Sequence, residues 1–286
     1  MKIAIFAFYL LLLLFSCKTN QYFETYPANL RKPSAIESKM VYKNVVYGSN
    51  LKEQDMDIYL PAGRDSINTP VVIIIHGGAW MMGDKSDIDQ FGYDTFFNAN
   101  GCAFINMNYR LDTTAPYPAQ LDDIGSAIEY LKSKRGEWKI NTNRICLFGG
   151  SAGGQLALSY AYTRNNDKSI KVVLDISGPS SFTVCYQEGI LVNNITNLIG
   201  NYDSTAQLWH DYSPLYNLKS AVPTAIMHGT ADSLVYFVQS VMLHDSLNYY
   251  NIPNHFIPLS GGGHTISTAD WVEWNIPVLV WIKNYL

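Results

Sequence analysis

Charge is scarce in this chain of 286 residues: Asp, Glu, Lys and Arg make up 15% of it, and 20 basic against 24 acidic residues leave a formal net charge of -4. So even a balance offers no basic footprint for nucleic acid or for an anionic membrane surface. Cysteine is sparse as well. The four cysteines form no CxxC pair and no Cys/His group at metal-ligand spacing, which excludes a small disulfide scaffold and leaves no metal set to propose. No apolar run reaches the roughly 20 residues of a spanning helix, and no repeat or low-complexity segment is present. What the chain does have is apolar residues, 48% of the total, which rules out disorder. A globular protein acting on a small, neutral organic molecule fits this composition.

The first residues are set apart from the rest. After Met1 and Lys2 an unbroken apolar run extends from Ile3 to Phe15, too short to cross a bilayer but right for the apolar region of a signal peptide. It stops at Cys17, and the tetrad Leu14, Phe15, Ser16, Cys17 resembles a bacterial lipoprotein signal, in which the cysteine is acylated after cleavage. The alternative is a secretory peptide cut near Ser16. The resemblance implies a signal over 1–16 and a polar tether over 17–39 ahead of a folded domain over 40–286, exported and membrane-anchored through a lipid on Cys17. Lys18 in place of an aspartate points to the outer membrane.

The body alternates strands and helices. Lys43 to Tyr47 and Met56 to Leu60 alternate in polarity and read as an antiparallel pair. Then come short continuous apolar runs at Val71 to Ile75, Ala103 to Asn106, Ile145 to Phe148, Val172 to Ile176, Thr224 to Met227 and His255 to Leu259, the pattern of strands buried on both faces. Between them Ile88 to Ala99, Leu121 to Leu131, Ala152 to Tyr162, Tyr236 to Leu247 and Trp271 to Tyr285 carry helical spacing. The fold class is therefore α/β, with a mostly parallel central sheet of about eight strands flanked by helices. Residues 179–216, rich in Asn, Ser and Tyr, read as an insertion over the strand ends, where open α/β sheets bind ligands. Cys102 and Cys146 lie in strand-like runs and read as core thiols.

Chemistry gathers where strands turn into helices. Ile145 to Phe148 runs into Gly149, Gly150, Ser151, Ala152, Gly153, Gly154, a G-x-S-x-G turn that would expose Ser151 at a helix N-terminus. A serine that merely caps its helix remains an alternative; a dinucleotide loop does not, because Ser151 stands where that motif needs glycine. Earlier in the chain, Val71 to Ile75 ends in His76, Gly77, Gly78, Ala79, Trp80, whose unshielded backbone N–H groups suit a developing oxyanion. The bland reading is a tight turn with a core tryptophan, and His76 reads as structural. A nucleophilic serine needs a base and the base needs an acid. His264 beyond Gly261, Gly262 and Gly263, and Asp232 one βα unit earlier, fit in position; His210, His228, His244 and His255 fit less well.

Taken together, HGGAW at 76–80, NYRL at 108–111, YPAQLDD at 117–123, GGSAGG at 149–154, SPL at 213–215, HGTAD at 228–232 and GGGH at 261–264 resemble the α/β-hydrolase fold. The nearest group is that of hormone-sensitive-lipase-like esterases and bacterial carbohydrate esterases. The resemblance implies Ser151 as nucleophile, His264 as general base then acid, and Asp232 as the orienting carboxylate. It implies oxyanion donors at Gly78, Ala79 and Ala152, with Gly77 contributing, and Trp80 in the substrate pocket. It calls for no metal and no cofactor. Arg110 with Asp122 or Asp123 is expected as a structural ion pair. The implied reaction is hydrolysis of short-acyl esters, with acetyl or feruloyl esters of carbohydrates as candidates, since the polar insertion does not resemble a long-chain lipase cap. A formamidase, a prolyl-oligopeptidase-like peptidase and a non-catalytic binding protein of the same fold are the alternatives. Oligomeric state is not legible.

Overall fold

The continuous apolar runs lie side by side because each can bury both faces only in the middle of a layered sheet. The computed structural model describes residues 37–189, 191–200 and 207–286. The signal region, Cys17 and the tether up to residue 36 lie outside the described residues. Eight strands form one sheet: β1 (Met40–Val46), β2 (Asp55–Leu60), β3 (Pro70–Ile75), β4 (Ala103–Met107), β5 (Asn141–Gly150), β6 (Ile170–Ile176), β7 (Thr224–Gly229) and β8 (Asn254–Leu259). Their spatial order is β1-β2-β4-β3-β5-β6-β7-β8. β2 runs antiparallel to both neighbours, and every other pairing is parallel. All parallel strands therefore end on one edge.

Helices cover both faces. α2 (Ala119–Trp138) and α3 (Ala152–Thr163) pack on one side, where Ile73, Ile105, Leu147 and Val173 meet Ile124, Ile128 and Leu156. α1 (Tyr93–Ala99) and α8 (Thr268–Lys283) cover the other, over an aromatic cluster of Tyr93, Phe97, Phe104, Phe148 and Trp271. Within it Tyr93 meets Trp271 edge to face at 4.7 Å between ring centroids and Phe148 at 5.0 Å. Each fully buried ring or branched chain contributes about 1.5–3 kcal/mol, and two such layers offset the ordering of a chain this long. Cys102, Cys146 and Cys185 are free and buried, and burial raises the Cys102 thiol to about 11 and the Cys185 thiol to about 12. They are packing groups.

Two local expectations change. The single helix over Ile88 to Ala99 is a 3-10 segment, Lys85–Phe91, followed by α1. Gly92 separates them with φ 65°, a left-handed conformation that ends the first turn. The insertion, read from its composition as polar, has helices and an apolar side of its own. It contains α4 (Phe182–Gln187), α5 (Val192–Ile199) and α6 (Gln207–Asp211), and it buries Phe182, Ile195, Leu198 and Trp209 against the α2/α3 side of the core. Helices of five to eight residues carry too few turns for a period to stand out.

Close packing at the end of β6 leaves a carboxyl in an uncommon state. Asp175 is fully buried, and its Oδ1 accepts the Gly178 N–H at 3.1 Å while Oδ2 has no partner among the described residues. A Cβ at Gly154 or Gly178 would come within 2.2 or 2.3 Å of that Oδ1, so both glycines make room for it. Burial pushes its pKa up to about 7. A carboxyl whose folded pKa lies above its unfolded value stabilises the fold fully below the unfolded value, and this stabilisation is lost as pH rises through the folded one. Asp175→Asn is therefore expected to match the parent at pH near 4 and to exceed its Tm by about 5 °C or more near pH 8. Thermal melts at both pH values check this, and an equal Tm difference at the two would contradict it.

Candidate active site

The geometry of the site begins with a backbone constraint. β3 and β5 pair with Ile75 opposite Gly149, so the chain leaves β3 beside the turn that ends β5. That turn reverses within one residue, and Ser151 sits at φ 53°, a strained value for a side-chain-bearing residue. The approach is tight. A Cβ on Gly149 would lie 2.2 Å from the Gly153 carbonyl oxygen, and a Cβ on Gly153 would lie 2.0 Å from that of Ile75. Only glycine lets β3, β5 and α3 meet there. The Ser151 N–H donates to Ile176 O at 2.8 Å, which holds the turn against β6.

The other two members of the expected constellation arrive from the next strands. β7 and β8 end in register, with Gly229 opposite Leu259, and their loops are laced together by Ala231 N–H to Gly262 O at 2.9 Å and Gly261 N–H to Thr230 Oγ1 at 2.9 Å. This brings His264 against Ser151. His264 Nε2 lies 2.9 Å from Ser151 Oγ, and His264 Nδ1 lies 2.7 Å from Asp232 Oδ2. Because an ionised carboxylate only accepts, Nδ1 carries the hydrogen and Nε2 is free to accept from the serine hydroxyl.

Asp232 is held on all sides. Its side chain is fully buried, its Oδ1 accepts the Leu234 and Val235 N–H groups at 2.8 and 2.9 Å, and its Oδ2 accepts from His264 and also from His228 Nε2 at 3.0 Å. Burial alone would raise its pKa, but the hydrogen bonds from His228, His264, Val235 and Leu234 outweigh it and hold the carboxyl well below the usual range. It stays charged through the neutral range. His228 ranked among the ill-fitting histidines on sequence grounds, since only the fold shows it reaching back to Asp232. The single sequence cue is its i, i+4 spacing to that aspartate.

The expected oxyanion loop adopts positive φ at three successive residues, Gly78 at 113°, Ala79 at 50° and Trp80 at 62°. Met81 and Met82 N–H both donate to Gly78 O at 3.1 Å, which closes the loop on itself. The N–H groups of Gly78 and Ala79 and that of Ala152, at the start of α3, find no acceptor among the described residues. Gly77, Gly78, Ala79, Ser151 and His264 line one cavity of about 410 Å³. Its other walls are mostly apolar, and Ile74, Phe148, Tyr93, Ile176 and Ile266 among them belong to the core on the α1/α8 side of the sheet. No Asp, Glu, Lys or Arg lines it. Among the described residues no group of three His, Cys, Asp or Glu is arranged to hold a metal ion.

Trp80 is not part of that wall. It is completely buried, donates its Nε1–H to Gln155 Oε1 at 3.0 Å and meets Phe182 edge to face at 5.6 Å. The expectation of a pocket tryptophan fails because the left-handed turn at Ala79 and Trp80 directs the ring between the loop and α3. There it pins the loop after β3 to the helix that follows Ser151. His76 is likewise internal: it stacks on Tyr109 at 4.3 Å, its Nδ1 lies 2.7 Å from Gly77 O, and burial lowers its pKa. Arg110 pairs bidentately with Asp123, at 2.7 Å from Nη2 to Oδ1, while Asp122 pairs with Arg164.

The chain is similar to known proteins over most of its length. The BD-FAE family model matches residues 56–247. Among curated proteins, the esterase LipC of Mycobacterium tuberculosis is 22% identical over 80% of this chain and 60% of its own length. LipM of the same organism, a probable carboxylic ester hydrolase, is 24% identical over 85% of the chain and 64% of its own. The chain thus spans less than two thirds of these two relatives. Among solved structures, a truncated carbohydrate esterase from gut microbiota superposes with a TM-score of 0.74 at 24% identity, covering 89% of this chain and 99% of that one. At that identity the likeness speaks to the fold.

The tight approach at the turn is directly testable. Gly153→Ala is expected to destabilise the protein by about 3 kcal/mol or more, since its methyl must displace the β3 backbone. Gly136→Ala on the open face of α2, where nothing lies within 4 Å, is expected to stabilise it by about 0.5–1 kcal/mol. Chemical denaturation of both variants measures the contrast, and an unperturbed Gly153→Ala would refute the packing argument.

Proposed function

The chain belongs to the BD-FAE family and has the α/β-hydrolase fold, and from this premise we propose that it is a serine carboxylesterase in which Ser151, His264 and Asp232 act as the catalytic triad. The observation that carries the reading is the unbroken hydrogen-bonded line from Ser151 Oγ through His264 to Asp232, beside three unpaired N–H groups and above an apolar cavity.

Each step has a residue suited to it. Ser151 Oγ attacks the ester carbonyl carbon while its proton passes to His264 Nε2, and Asp232 stabilises the imidazolium so formed. The carbonyl oxygen gains the negative charge and is met by the N–H groups of Gly78, Ala79 and Ala152, with Gly77 shaping the approach. Collapse of the tetrahedral intermediate breaks the bond to the alcohol, which leaves with the proton from His264. Water then adds to the acyl-enzyme by the same route and restores Ser151.

The cavity supports an uncharged acyl group, because no charged side chain other than a protonated His264 could answer an anionic one. Its volume of about 410 Å³ exceeds what an acetyl group fills and admits a short aliphatic or aromatic acyl chain. Acetyl or feruloyl esters of carbohydrates remain the candidate substrates, in keeping with the carbohydrate esterase among the structural neighbours. The N-terminal apolar run ending at Cys17 supports export and anchoring by lipid on that cysteine.

Ser151→Ala is expected to lower kcat/KM for p-nitrophenyl butyrate by about 10³-fold or more with the circular dichroism spectrum unchanged; full retained activity would sink the assignment. Acetylated and feruloylated oligosaccharides assayed beside p-nitrophenyl esters of rising length define the acyl class, and peak activity on long chains would overturn the short-acyl reading. For the anchor, Cys17→Ser is expected to abolish incorporation of labelled palmitate and to shift the protein out of the membrane fraction.

A further inference from the structure

We infer that His228 is a positioning residue for this reaction: it shares the Asp232 oxygen used by His264 and so sets how strongly that carboxylate holds the proton on His264. The inference rests on the serine-esterase reading above.

The geometry is specific. His228 is fully buried near the end of β7, and its Nε2 lies 3.0 Å from Asp232 Oδ2 and 2.9 Å from Val235 O. Both are acceptors, so Nε2 carries the hydrogen. On the far side of the ring, the Ser240 hydroxyl on α7 (Val238–Tyr249) stands 2.6 Å from Nδ1 and, with the ring neutral, donates there. Ser240 thereby selects the tautomer that points its N–H at Asp232. Phe237 closes the ring's edge at 5.7 Å, and β8 passes with Pro258 opposite His228. Asp232 is the titratable group in contact with His228, with His264 beyond it.

Asp232 Oδ2 therefore receives two imidazole N–H groups, from His264 at 2.7 Å and from His228 at 3.0 Å, while Oδ1 receives two backbone N–H groups. A carboxylate has about four acceptor directions, so none remains open and the group cannot rotate. Sharing has an electrostatic consequence. Charge drawn from Oδ2 by His228 is charge withheld from His264, which leaves His264 less basic than a lone aspartate partner would make it. Catalysis needs His264 neutral, so the free enzyme stays active to lower pH. A capping histidine with only a structural role would affect stability and leave the pH profile alone.

The test measures kcat and KM of the full chain on p-nitrophenyl butyrate from about pH 5 to about pH 9 for His228→Leu and His228→Gln. Leucine keeps the bulk and removes the donor; the glutamine amide nitrogen can reach the same oxygen. For His228→Leu, kcat is expected to fall about tenfold or more, with KM within about twofold and the acid limb of kcat/KM raised by about half a pH unit or more. His228→Gln is expected to recover most of both. A His228→Leu enzyme with the parent's kcat and acid limb would overturn the inference, as would a loss that glutamine does not restore in a folded protein. Should His228→Leu not fold, Ser240→Ala, which frees the ring to take the other tautomer, is expected to raise the acid limb by a smaller amount, and an unchanged profile there would overturn it. Absence of fluorophosphonate labelling of the parent protein would sink the esterase reading and this inference with it, whereas a labelled, active parent with an unaltered His228→Leu profile would remove only the role of His228.

Discussion

Three backbone segments meet closer than side chains permit, and the site depends on that contact. β3, β5 and the first turn of α3 converge at Gly149 and Gly153, where an added Cβ would fall at about hydrogen-bonding distance or less from main-chain oxygens. The strain at Ser151 follows from it, because a chain that leaves β5 and enters α3 within one residue has no relaxed conformation available. The surrounding sheet bears the cost. β3 and β5 are central strands with both faces covered, and their packing over-determines a turn that would not hold by itself.

A second constraint is electrostatic. Asp232 is a buried charge, and a buried charge is tolerated only when its acceptor directions are filled. Two backbone N–H groups and two imidazoles fill them, and three of the four donors come from its own loop and the end of β7, within a short stretch of chain. The fourth, His264, arrives from β8. The lacing of the two loops by Ala231, Gly261 and Gly262 therefore does more than tidy the surface: it fixes the distance between an acid and a base that are 32 residues apart. Asp175 shows the opposite case. With one donor and an oxygen that has no partner among the described residues, its burial instead raises the pKa to about 7.

The two faces of the sheet divide the work. The α2/α3 side packs the insertion and, through Trp80 and Gln155, ties the loop after β3 to the helix behind Ser151. The α1/α8 side leaves room beneath Ser151, so the cavity is walled by the same residues, Tyr93, Phe148 and Ile266, that close the core there. The cavity is thus an extension of the hydrophobic core, and an apolar group would be held in it by packing rather than by charge.

Much of this was legible in local sequence. Period and apolar run length depend on residues adjacent in the chain, so the sheet, its parallel character and the long helices α2, α3, α7 and α8 could be read directly. G-x-S-x-G and the order of Ser151, Asp232 and His264 were legible because a strand followed by glycine imposes its own turn. Trp80 and His228 were not. Whether a tryptophan after HGGA faces the cavity or the core depends on two positive φ values and on Gln155 waiting on α3. Whether a histidine at the end of β7 is idle or bound to the buried aspartate depends on how the loop folds back over four residues. By itself the sequence determined which groups could do chemistry and which strand ends would carry them. Only the tertiary structure decided which of them touch, because contact between side chains far apart in the chain is set by register and close packing, which no local pattern encodes.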